Sequence, residues 1–195
     1  MATSNAPQLI RFADCTPEPW ANGGGVTRVV AKGWFDGGSA DYHWRLSVAD
    51  VSSSGAFSKL PGVDRVITLT DGPGLLLTID GQQHTLEPFR PLAFTGEAAT
   101  ESEVTEPTRD FNVMTRRGVC TALVDVITGS ETRAVPGDSI TYVISLKGSA
   151  EVELAAGVVT LGQFDTLLLP AAGTIRVKAD GRVVVVRIEP VIGGA

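Results

Sequence analysis

Gly and Pro punctuate this chain every few positions, 22 and 11 of them among 195 residues, and helix breakers so closely spaced leave little room for an uninterrupted helical period. Between them lie short runs rich in Val, Ile, Leu and Thr: Val26–Ala31, His43–Val48, Val66–Leu69, Leu75–Ile79, Val119–Ile127, Ile140–Leu146, Thr166–Leu169 and Val183–Ile188. β-branched residues favour extended backbone, where a stiff χ1 packs well on a pleated surface. With 43% hydrophobic and 19% charged residues, the chain can bury a core around such strands. An all-β sandwich or barrel is therefore expected. Asp80-Gly81 and Asp180-Gly181 accept the positive φ of tight turns, so hairpins and antiparallel pairing are expected around both.

An internal echo at a period of about 75 residues adds to this reading. Val66-Ile67-Thr68-Leu69 with Gly72 resembles Val143-Ile144-Ser145-Leu146 with Gly148. Leu75–Ile79 and Gly81 parallel Ala150–Leu154 and Gly157, and Thr85-Leu86 parallels Thr160-Leu161. Phe89, Leu92-Ala93-Phe94 and Gly96 answer Phe164, Leu167-Leu168-Leu169 and Gly173. The repeated order of strand and Gly turn predicts an internal duplication, as two small β-barrels or one bilobal β-sandwich.

A net charge of −6, from 16 basic and 22 acidic residues, lacks the clustered positive surface that a phosphate backbone requires, so nucleic acid is not an expected partner. Twelve of the basic residues are Arg, whose planar fork grips carboxylates bidentately, and a small anionic ligand fits that bias. Met1–Arg11 carries no basic-then-apolar leader, and no run approaches the roughly 18 apolar residues of a membrane span. A cytoplasmic protein with no membrane partner is expected. Cys15 and Cys120 are far apart, in no metal-ligand spacing, and read as reduced thiols.

Three segments carry chemistry. In Pro19–Arg28 (PWANGGGVTR), Gly23-Gly24-Gly25 either let backbone N–H groups approach a ligand or form a tight turn with Trp20 as a plug. Trp44–Asp50 alternates with period two, placing Trp44, Leu46 and Val48 on one face and Arg45, Ser47 and Ala49 on the other. Alternation leaves open whether the polar face meets solvent or a lumen. A loop then delivers Arg65 to the next strand, where it either meets a ligand or forms a salt bridge with Asp64 or Asp50. In Arg109–Gly118, Asn112 shares a face with Met114; an amide inside a β-run reads either a ligand or a neighbouring loop.

Taken in order, PWANGGGVTR, WRLSVADVSSSGAFSKLPGVDR, PLAFTGE and RDFNVMTRRG resemble the motifs of the HutD/Ves family. The resemblance spans residues 8–118 and continues mainly through the repeat pattern. It implies a bicupin, two cupin-like antiparallel β-barrels, here at 1–118 and 119–195 with strands exchangeable between them. It also implies a regulator in histidine utilisation that senses a pathway intermediate, with no established catalysis.

Metal-binding cupins hold their ion with three His and a carboxylate drawn from two motifs. This chain has two His: His84 stands alone, and His43 belongs to a different strand. No metal and no other cofactor is expected. There is no G-x-S-x-G elbow for nucleophilic catalysis.

The leading expectation is a metal-free binder of a small carboxylate metabolite, of urocanate or formyl- or formimino-glutamate type. Arg45 and Arg65 would pair with its carboxylate, Asn22 and Asn112 would supply amides, and Ser47, Trp20, Thr27 and Arg116 would complete the ligand-binding set. The alternatives are a metal-independent isomerase or hydrolase with Asp50 or Asp64 as base (Asp110 also available), and an interaction module, including a homodimer. Elemental analysis of the purified protein is expected to find no stoichiometric transition metal; about one ion per chain surviving dialysis would overturn this.

Overall fold

A computed structural model describes residues 6–35, 41–169 and 172–191. Its strands are β1 (Gln8–Ile10), β2 (Pro17–Pro19), β3 (Gly25–Gly33), β4 (Trp44–Val51), β5 (Gly55–Ala56), β6 (Val63–Asp71), β7 (Leu75–Ile79), β8 (Gln82–Leu86), β9 (Leu92–Thr95), β10 (Thr100–Glu103), β11 (Thr108–Arg116), β12 (Cys120–Val135), β13 (Ile140–Leu154), β14 (Gly157–Leu161), β15 (Thr166–Leu169) and β16 (Gly173–Pro190). Among the described residues the helical element is a 3-10 turn, Phe12–Asp14. Each expected run lies on one of these strands, with His43 and Val119 just before β4 and β12, and among the described residues no helix is long and apolar enough to cross a membrane.

The chain divides into two compact units, Cys15–Val119 and a second made of the residues before Cys15 with those from Cys120 on. The N-terminal segment joins the second unit because β1 pairs with β15, Gln8 opposite Leu168 and Ile10 opposite Thr166.

In Cys15–Val119, a six-stranded antiparallel sheet, β2-β3-β4-β11-β6-β9, faces a four-stranded one, β5-β10-β7-β8. Alternation aims Ile67 and Leu69 of β6, Leu75 and Leu77 of β7 and Leu86 of β8 into one core, against which Phe57, Leu92, Phe94 and Val104 pack. The expectation of closed barrels meets a correction here: both sheets are open. β2 and β9 end the larger sheet. β2 reads Pro17-Glu18-Pro19, and prolines that offer no N–H cannot complete a ladder on a free edge.

The second unit is one sheet, β1-β15-β13-β16-β12, with β14 paired to β13. Val143, Val152, Leu161, Leu167, Val177 and Val183 lie in its core. Asp80-Gly81 forms the expected β7–β8 hairpin, with φ of 47° and 83°. Asp180-Gly181 does not form a hairpin: β16 runs straight through it, and Gly181 lies opposite Gly148 of β13. A Cβ on either glycine would strike the backbone of the facing strand, so this Asp-Gly marks a close approach of two long strands instead of a turn.

Equivalent pairings recur in the two units. Leu75 faces Leu86 as Ala150 faces Leu161, while Ile67 faces Leu92 as Val143, not the expected Ile144, faces Leu167, so the echo is out of step by one residue in its first strand. Phe89 and Phe164 both sit at φ 62°. Their N–H groups donate to Leu69 O at 2.8 Å and Ser145 O at 2.6 Å.

Leu77, fully buried between the sheets of Cys15–Val119, tests the core. Leu77→Ala is expected to cost about 2–5 kcal/mol in denaturant unfolding; a loss below about 1 kcal/mol would mean that this interface is not close-packed.

Candidate functional site

The inward face of the larger sheet changes character along its strands. Cross-strand register sets Thr27, Ala49, Asp110 and Leu69 in one row and Ser47, Asn112 and Ile67 in the next. The third row is Arg45, Met114, Arg65 and Phe94. Because side chains on one face recur every second residue, β6 passes from core leucine and isoleucine to Arg65 within four positions. There a cavity of about 470 Å³ opens within Cys15–Val119.

Seven of the eight expected ligand residues line it: Trp20, Asn22, Thr27, Arg45, Ser47, Arg65 and Asn112. Arg116 does not. Although its parity matches Asn112, it lies at the end of β11 and its Nη1 donates to Pro61 O at 3.3 Å. Gly23–Gly25 are also outside the lining. Gly23 N–H donates to Trp20 O at 3.0 Å and Gly24 N–H to Asn22 Oδ1 at 3.0 Å, so the glycine run is a turn. It presents Asn22 and holds Trp20, whose indole N–H donates to Thr27 Oγ1 at 2.7 Å.

Arg65 is 6% exposed. Its guanidinium carbon lies 4.9 Å from the ring centroids of both Phe57 and Phe94, within cation–π range. Nη2 donates to Asn112 Oδ1 at 3.3 Å, while Nε is buried without a hydrogen-bond partner. The anticipated salt bridge to Asp64 or Asp50 is absent, since both carboxylates are engaged elsewhere. Asp50 accepts from Arg28 at 3.2 Å and from Arg109 at 2.5 Å, and Asp64 accepts from Arg117 at 2.6 Å. Neither lines the cavity. Asn112 binds no neighbouring loop: its amide nitrogen donates to Asp110 Oδ1 and its oxygen accepts from Arg65, so it bridges two charged groups.

Asp110 is the lining residue least visible in the sequence. It is 1% exposed, and burial pushes its carboxyl up to about 7 against the lowering influence of Arg65 and the Asn112 hydrogen bond. Burial also brings the Arg65 guanidinium down to about 10, with Asp110 opposing and Arg45 reinforcing that shift. Arg65 therefore stays charged near neutrality while Asp110 is poised between forms. Among the described residues Arg45 forms no ion pair, and the inner wall of the cavity sets two arginines against Asp110, with Glu18 exposed at the rim. No group of three His, Cys, Asp or Glu among those residues is placed to hold a metal.

The HutD family model matches residues 12–186. The chain belongs to the HutD family. It is 36% identical over 129 residues to Protein Ves of Escherichia fergusonii, a match covering 65% of this chain and 66% of that relative. It is similar to the structure of HutD from Pseudomonas fluorescens SBW25 in a formate condition, at a TM-score of 0.84 and 31% identity, over 95% of this chain and 99% of that one. A cupin 2 conserved barrel domain protein from Leptotrichia buccalis superposes at a TM-score of 0.58 and 11% identity, over 94% and 96% of the two chains. This HutD member is thus all-β and cupin-like.

Asp110 gives stability a pH signature. Its folded carboxyl titrates above its unfolded value of 3.8, so its contribution is complete below that value and is lost as pH rises toward about 7. Asp110→Asn, which does not titrate, is expected to gain melting temperature over wild type as pH rises from 4 to 8. A constant difference across that range would overturn the assignment.

Proposed function

We propose that the chain binds a small carboxylate metabolite in the cavity of Cys15–Val119, without a metal, as a sensor or regulator in histidine utilisation. The observation that carries this is the pair of arginines on one cavity wall, Arg45 with no ion pair among the described residues and Arg65 buried with its Nε unpartnered. Buried guanidinium groups are costly without anionic partners, and a ligand carboxylate supplies one through charge-assisted hydrogen bonds. Volume supports the reading, since about 470 Å³ lies in the range of small-molecule sites. Urocanate and formyl- or formimino-glutamate fit by charge, and family membership favours that pathway. Trp20, Phe57 and Met114 in the lining offer surfaces for an apolar or planar ligand body.

We read the two units as duplicated cupin-like halves of a bicupin, supported by the recurring pairings and by the matched positive φ of Phe89 and Phe164. One observation favours the enzymatic alternative: Asp110 is a lining carboxyl that changes protonation near neutrality, as an acid–base group would.

A thermal-shift series tests binding. A ligand at about 100 times its Kd stabilises the fold by about 2.7 kcal/mol, a readily measured rise in melting temperature. Arg45→Ala is expected to lose most of that rise while keeping the unliganded melting temperature. Arg65→Met, which keeps apolar bulk between Phe57 and Phe94, is expected to lose it too. An undiminished shift in both variants would place the ligand elsewhere, and product formed on incubation would favour the enzyme.

A further inference from the structure

We propose that anion binding in this cavity is coupled to uptake of one proton by Asp110, so that the protein holds its ligand more tightly as pH falls through neutrality. This rests on the carboxylate-binding reading above and adds how that site is regulated. Asp110 sits in the sheet row between Ala49 and Leu69, 1% exposed, with its carboxyl in the cavity wall. The charged groups around it come from three elements: Arg65 of β6, Arg45 and Asp50 of β4, and Glu18 of β2, which is exposed at the cavity rim. Phe57, Ser58 and Leu60, which line the cavity after β5, contribute no titratable group.

In the unliganded cavity Arg65 is the cation that favours ionised Asp110, and Asn112 links the two side chains through its oxygen and its amide nitrogen. A carboxylate seated against Arg65 and Arg45 takes over that positive field and adds a second negative charge in the same poorly hydrated space. Two carboxylates sharing such a site do not both ionise readily. The group able to take the proton is Asp110, and its neutral form gains an O–H that can donate to the ligand. Occupancy therefore favours protonated Asp110, and by reciprocity protonation favours occupancy.

Titration calorimetry with N-formylglutamate and cinnamate, whose carboxylates stay ionised above pH 6, tests the coupling on the whole chain. Affinity is expected to be level below about pH 6 and to weaken by up to tenfold per pH unit above about pH 7. In buffers of different ionisation enthalpy the heat should report uptake approaching one proton per ligand near pH 8. Asp110→Asn is expected to bind with an affinity independent of pH, and Arg45→Ala to bind poorly at every pH. Equal wild-type affinity at pH 6 and pH 9, or buffer-independent heats, would overturn the coupling while leaving carboxylate binding intact. The same pH dependence in Asp110→Asn would overturn the assignment to Asp110. Failure of both acids to bind wild type at pH 6 would overturn the underlying reading and the coupling with it.

Discussion

A guanidinium buried against aromatic rings is the constraint around which Cys15–Val119 is arranged. Arg65 gives up hydration and is held by what three chain segments bring to it: Phe94 from β9, Phe57 from the stretch after β5 and Asn112 from β11. Phe57 is itself fixed by its N–H, which donates to Thr100 O of β10 at 2.9 Å. The contact between the two sheets is thus greasy at Leu69 and Leu77 and cationic at Arg65. The charge survives because guanidinium has pKa to spare; a carboxyl at the same depth does not, and that inequality gives the cavity its sign.

Sheet parity sorts the arginines of this unit. Arg45 and Arg65 fall on the inward face and stay clear of the Asp and Glu clusters. Arg28 and Arg109 fall on the other face and converge on Asp50, while Arg117, just past β11, is shared between Asp64 and Glu97. Those outer pairs are half-exposed and each adds little to stability. Their placement still matters, because a carboxylate one position out of step along β4 or β6 would have faced the cavity and paired with an arginine there.

The strand runs and the two faces of Trp44–Asp50 were legible because a period of two is written directly in residue order. Which polar face meets the cavity was not, since Trp44, Leu46 and Val48 are as buried as Ser47 and Ala49 and alternation carries no label for the ligand side. Asp110 was hidden by its neighbours: flanked by Arg109 and Phe111, it reads as an ion-pair partner. Its parity with Asn112 and Met114 is the available signal. Parity alone would aim Arg116 inward as well, but there the strand ends and the long side chain turns to Pro61. Asp180-Gly181 misled because the dipeptide encodes a backbone freedom, and the partner strand decided that this freedom would serve close approach at Gly148.

Strand β1 gives the chain a timetable. Gln8–Ile10 is synthesised before the other strands of its sheet, yet it pairs with Thr166–Leu168, which follow only after all of Cys15–Val119. At about 5–20 residues per second, the early segment waits on the order of ten seconds for its partner. Before that interval ends Cys15–Val119 has all of its own strands and can fold first. The second unit, by contrast, draws strands from both sides of Cys15–Val119, so it closes only once β15 has emerged, and until β1 pairs there β15 presents an open edge to any other extended segment nearby.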